Sequence, residues 1–224
     1  AGLGGYALWD NHWYGAVTLY RSAAPMSRIH NIAPYWRFAW QGYLPNHAYL
    51  EVGTYGIYAK VHNSSPTAGY TKYTDWAVDT SYQQPLGGTH LLSLHAVYTH
   101  EDQTHPSGSD TLQQFRVDGN YEFGHRGQVS LGYFNTWGST DKTLYPKLDT
   151  SLKTPAPTVD TSASGGPDNA GFIAEVDYLP WENTKFSLQY TAYTKFNGAG
   201  SNYNGAGRSA SDNNTLYLNS WLMW

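Results

Sequence analysis

A two-residue alternation runs the length of this chain, and its last stretch states it most clearly. Across 214–224, Leu216, Leu218, Leu222 and Trp224 fall on one face of an extended segment, with Ser220 the one polar member of that row. Tyr217, Asn219, Trp221 and Met223 fall on the other. A period of two places successive side chains on opposite faces, which is the geometry of a β-strand. Ten further alternating segments precede it, at 2–9, 13–21, 33–41, 49–61, 75–83, 90–101, 114–123, 128–137, 172–178 and 185–196. Residues 114–123 show the pattern well: Phe115, Val117, Tyr121 and Phe123 oppose Gln114, Arg116, Asp118, Asn120 and Glu122. The expected fold class is therefore all-β, an antiparallel meander of eleven strands.

Composition decides what such a sheet is solvated by. The chain is 16% aromatic, with 20 Tyr and 9 Trp, and only 13% charged, where soluble domains carry roughly 25% charged residues. No apolar run approaches the ~18 residues of a membrane helix. Segments of about ten alternating residues separated by turns are the signature of a transmembrane β-barrel. A soluble, aromatic-rich β-sandwich binding carbohydrate is the competing architecture. The net charge of −4 argues against a nucleic-acid partner. With no cysteine there is no disulfide, thiolate metal site or Cys-x-x-Cys-His haem attachment in the chain, and a cysteine-free wall suits the periplasmic export route.

Two regularities favour the barrel. Connections alternate in length: short ones lie near residues 10, 45, 87, 125 and 182, and long ones at 22–31, 62–71, 102–110, 138–169 and 197–213. Outer-membrane barrels have short periplasmic turns and longer extracellular loops. Charges also keep to one face. Arg37, Glu51, Asp75, Asp79, Glu101, Arg116, Asp118, Glu122, Glu175, Asp177, Lys185 and Lys195 all stand opposite the aromatic and aliphatic face. A charge on the lipid face at mid-bilayer costs roughly 2–4 kcal/mol, and avoiding that cost accounts for the segregation. Lys60 breaks the rule near a strand end, where a lysine can snorkel. The expected location is the bacterial outer membrane, with lipid as partner. Eleven is an odd count where single-chain bacterial barrels have even ones, so residues 1–224 are expected to be the C-terminal part of a larger barrel. Further strands would cover the open edge, because unpaired edge groups are costly in lipid.

Several phrases carry a resemblance. They are Glu51-Val-Gly-Thr-Tyr-Gly-Ile-Tyr-Ala-Lys60, the stretch from Tyr178-Leu-Pro-Trp-Glu-Asn183 to Tyr193, Ser211-Asp-Asn-Asn-Thr-Leu-Tyr-Leu218, the turn Leu8-Trp-Asp-Asn-His12, and 71–82. Together they resemble the barrel portion of bacterial outer-membrane cytochrome c-like proteins, the fused cytochrome–porins. That resemblance implies a barrel housing an N-terminal haem-bearing segment and supporting electron transfer across the outer membrane. It implies haem c on a Cys-x-x-Cys-His that this sequence does not contain, no cofactor on the present residues, and a periplasmic cytochrome as redox partner.

Other constellations compete for a role. Nine histidines are scattered without zinc-type spacing, so no metal site is expected. His95 alone sits mid-strand on the polar face and joins the pore-lining set. Ser93 and His95, two apart, share that face as a nucleophile and base would in a barrel lipid hydrolase, a reaction that also needs an orienting group. No catalytic residue is assigned. Among the charged pore-lining candidates acidic residues outnumber basic ones eight to four, which points to mild cation preference, as charged rings confer in pores, or to a basic plug. A passive diffusion porin is therefore the alternative function. Trp36, Trp40, Trp76, Tyr82, Tyr98, Tyr190 and Trp224 read as an interfacial girdle, with sugar stacking as the other option. Loop 138–169 either folds inward or forms a surface segment.

Overall fold

The computed structural model describes residues 1–23, 29–63, 69–141, 144–147 and 161–223. Expectations that fall on Trp224, and on parts of loops 22–31, 62–71 and 138–169, lie outside these. The described chain is all-β, with a single 3₁₀ turn at Ala210–Asn213. Its strands are β1 (Gly2–Trp9), β2 (Trp13–Tyr20), β3 (Ala33–Tyr43), β4 (Tyr49–His62), β5 (Tyr70–Pro85), β6 (Leu91–His105), β7 (Gly108–Phe123), β8 (Gly127–Gly138), β9 (Asn169–Tyr178), β10 (Thr184–Lys195) and β11 (Thr215–Leu222). They form one sheet in chain order, β1 through β11. Every residue of β1 and of β11, the first and last strands in that order, is exposed. Among the described residues no helix is long and apolar enough to cross a membrane.

The short turns are built from residues that tolerate left-handed backbone. Asp10 and Asn11 have φ of 51° and 56°, and the His12 N–H donates to Trp9 O at 3.1 Å; positive φ at both central positions is the type I′ hairpin signature. His47, Gly87 with Gly88, Gly124 and Asn183 supply the positive φ at the other four. One connection differs from expectation. Residues 102–110 are not a loop: β6 runs to His105 and β7 starts at Gly108, leaving Pro106 and Ser107 as the turn. Polar side chains pair within this extension, with His105 Nε2 2.7 Å from Asp110 Oδ2 and Gln113 Nε2 3.2 Å from His100 Nδ1. Polarity there marks exposure rather than loss of the ladder, and proline suits the turn itself.

Packing divides the chain into two compact units, Ala1–Tyr82 with Val97–Gln113, and Gln83–Ala96 with Gln114–Trp224. In the first, the ladders set Trp13 against Trp40, Val17 against Trp36, and Trp40 against Val52 on one face. Arg37 against Tyr55 and Gln41 against Glu51 lie on the other. In the second, Val129 meets Val176, Tyr133 meets Phe172, and Leu188 meets both Val176 and Leu218 on the apolar face. Gln128 meets Asp177 and Gln189 meets Glu175 on the polar one.

What lies beneath the surface is small. The buried apolar side chains among the described residues are Ala33, Ala39, Ala48, Ala77, Ala170, Ala210 and Tyr203. Trp36, Phe38, Val52, Val78, Leu131, Phe172, Val176, Leu188 and Leu218 are all exposed, Leu218 to 78%. A water-soluble domain of this size does the reverse, burying its large aliphatic and aromatic side chains.

Candidate functional site

The polar face is where chemistry-bearing residues collect. In the first unit, Arg37 organises it. Its Nη2 donates to Glu51 Oε1 at 2.7 Å and to Asp79 Oδ2 at 2.8 Å, and its Nη1 reaches Asp79 Oδ1 at 3.1 Å. The planar guanidinium fork makes this bidentate grip possible. Gly53 on β4 leaves room for it: a Cβ there would stand 2.8 Å from Asp79 Oδ1 and 3.0 Å from Arg37 Nη2. Tyr49 Oη donates to Glu51 Oε2 at 3.2 Å. Asp75 lies beside Glu101, which also takes a hydrogen bond from Gln103. Lys60, the exception in charge placement, sits over the rings of Tyr58 and Tyr70 near the end of β4, a position that suits an interfacial cation.

In the second unit the polar face carries several hydrogen-bonded groups. His95 Nδ1 lies 3.2 Å from Asp118 Oδ2, and Arg116 Nε 3.3 Å from Asp118 Oδ1. Asn120 Oδ1 accepts from Ser130 and from Gln128. Gln189 donates to Glu175 Oε2 at 2.6 Å and Lys185 to Asp177 Oδ2 at 3.3 Å. Glu122 lies near the end of β7 and is exposed. The structure takes Lys195 out of the row: a register shift after Tyr193 pairs Lys195 with Ala170, interrupting the alternation that would have aligned it with Lys185. Beyond that shift the face is closed by rings, with Phe134 to Tyr193 at 5.6 Å, Tyr193 to Phe196 at 5.2 Å and Phe196 to Tyr203 at 5.0 Å. The described part of loop 138–169 packs here. Ala163 N–H donates to Asn197 O, Gly198 N–H to Asp168 O, and Ser162 Oγ to Asn197 O at 2.9 Å.

The structure thus gathers Arg37, Glu51 and Asp79 in one cluster, His95, Arg116 and Asp118 in another, and pairs Asp177 with Lys185. The sequence pattern puts Asn120, Gln128, Ser130, Ser187 and Gln189 on the polar face without marking them as pore-lining candidates. They are neutral, and only their alternation with apolar neighbours marked them. His95 has an acidic partner in Asp118, and among the described residues no hydrogen bond joins Ser93 to His95. Among the described residues no group of three or more potential metal ligands converges. The predicted closing strand carries Leu216, Leu218 and Leu222 on the face of Phe186, Leu188 and Tyr190.

Compared with family models, curated proteins and solved structures, the chain has no match in any of the three. Haem fits the present residues poorly as a covalent guest: the chain contains no cysteine to form a thioether.

Proposed function

We propose that this chain is the wall of a porin-like β-barrel of the bacterial outer membrane, with the apolar face toward lipid and the polar face toward an aqueous lumen. The inside-out distribution of side chains carries this reading: large apolar groups exposed, small ones buried, and the charges on the opposite face save for Lys60 and Lys195 near strand ends. An exposed apolar surface this extensive marks an interaction surface, and lipid is the partner that covers a whole face at once. The same reading requires that the edges at β1 and β11 be paired, since unsatisfied backbone groups are not tolerated in hydrocarbon.

What passes through the lumen divides into two readings. The resemblance of the sequence phrases supports a housing for a haem-bearing segment that carries electrons across the membrane, the present residues supplying a polar-lined sheath. The acidic surplus supports a diffusion porin with cation preference. Among the named pore-lining residues, four carboxylates face Arg37 in the first unit, and four face Arg116 and Lys185 in the second.

Membrane insertion is tested with the refolded chain in vesicles of brominated lipid. Trp13, Trp36 and Trp76 are exposed on the apolar face and should be strongly quenched. Fluorescence quenched by aqueous iodide but not by brominated chains would overturn the barrel reading. The lumen readings separate on the whole protein: a haem absorbance band with a closed pore favours electron transfer, and large open currents in planar bilayers favour diffusion.

A further inference from the structure

We propose that the polar face of β9, β10 and β11 holds a binding site for a small primary ammonium compound, anchored on Asp177. The proposal deepens the barrel reading and rests on it in one respect: this face must be wet. Asp177 is only 3% exposed. Lys185 donates to its Oδ2 at 3.3 Å, and its Oδ1 has no hydrogen-bond partner. Ser187 stands directly across the ladder from Asp177, is 5% exposed, and has an unpartnered Oγ. Buried polar atoms are nearly always paired. Two unpaired ones on cross-strand neighbours, a carboxylate oxygen and a hydroxyl, mark a place that a donor group would complete.

Space and charge both specify that donor. A cavity of about 150 Å³ is lined by Asp177, Lys185, Glu175 and Gln189 among others. A second, of about 510 Å³, shares Glu175, Lys185 and Gln189 with it and is walled by Ser187 and Tyr217. Around the first, the carboxylates of Asp118, Glu175 and Asp177 exceed the cations of Arg116 and Lys185 by one, so a single positive charge is accommodated and an anion is not. A primary ammonium brings three N–H donors, matching the carboxylates of Asp177 and Glu175 and the hydroxyl of Ser187. A hard metal ion would need six or more oxygens. The larger cavity, with the Tyr217 ring on its wall, takes a short organic body.

The experiment titrates the folded full chain in detergent micelles with n-butylammonium, butyrate and 1-butanol, reading amide shifts of β9 to β11 by NMR. These probes share a body and differ in charge. Saturable binding of butylammonium alone is expected, weakened roughly ten-fold or more by Asp177→Asn and a few-fold by Ser187→Ala. The serine variant removes one hydroxyl without unpairing Lys185, so it reports on the site if the aspartate variant does not fold. Equal binding of butyrate, or affinity unchanged in both variants, overturns the site. Brominated-lipid quenching on the same preparation keeps the two readings apart. A chain that inserts yet binds no butylammonium overturns the site alone. A chain that does not insert yet binds butylammonium overturns the barrel reading alone.

Discussion

Arg37 on β3 and Asp79 on β5 meet across β4, and the residue over which they meet is Gly53. A side chain at position 53 cannot be added without displacing one of the two. Gly53→Ala should lower stability by about 1–3 kcal/mol, the usual cost of overpacking. Urea-induced unfolding of the micelle-bound protein measures it, and an unchanged midpoint would show that the clamp is not tight.

The clamp itself predicts a ranking. Arg37→Lys keeps the charge but cannot hold Glu51 and Asp79 in a fork, whereas Arg37→Leu leaves two partly buried carboxylates unpaired. The losses expected are about 1 kcal/mol and about 2–3 kcal/mol respectively. Equal losses would mean that charge alone matters and that geometry does not.

On β5, Val78 belongs to the exposed apolar row and Ser81 to the row of Asp79. Val78→Arg should impair folding into vesicles by roughly 2–4 kcal/mol, the cost of a mid-bilayer cation. Ser81→Arg, beside an acidic face, should cost less than about 1 kcal/mol. Partition between folded and unfolded forms in urea-titrated vesicles compares them. If the two arginines behave alike, the faces are not distinguished by lipid.

Asn11 has φ of 56° in the β1–β2 turn. Asn11→Gly should be neutral or slightly stabilising, and Asn11→Val should cost about 1–2 kcal/mol, because a branched side chain resists left-handed backbone. Thermal unfolding of the pair reads the difference.

Ser162 is a knot in the folded loop: its Oγ donates toward Asn197 O and Gly166 O and accepts from the Gly165 N–H at 2.9 Å. Ser162→Ala takes the acceptor from the Gly165 N–H, while Asn197 O keeps the Ala163 N–H, a loss of about 1–3 kcal/mol confined to the loop. Hydrogen exchange at the Gly165 and Ala163 amides should accelerate while that of β9 does not. Uniform acceleration would mean that the loop and the sheet open together.

The fold was legible because a two-residue alternation of apolar and polar side chains is a strong strand signal. All eleven strands overlap the segments that the alternation marked, and the face of Arg37, Glu51, Asp79, Glu175 and Asp177 is the polar one. The Pro106–Ser107 hairpin was not legible, since a strand polar on both faces has the composition of a loop. The shift after Tyr193 was not legible either, because one extra residue in a ladder leaves no mark on composition. The cluster around Asp177 depends on register: only the ladder puts Ser187 opposite Asp177, and nothing in the one-dimensional spacing of the two relates them.

The small size of the buried side chains bears on how the chain reaches its destination. A sheet whose interior is alanine and glycine has little reason to collapse in water, and each copy offers the same greasy wall to every other. On the proposed barrel reading, such a chain would travel loosely held by an escort and complete its ladder on arrival at the bilayer, so its hazard would lie in transit rather than after assembly.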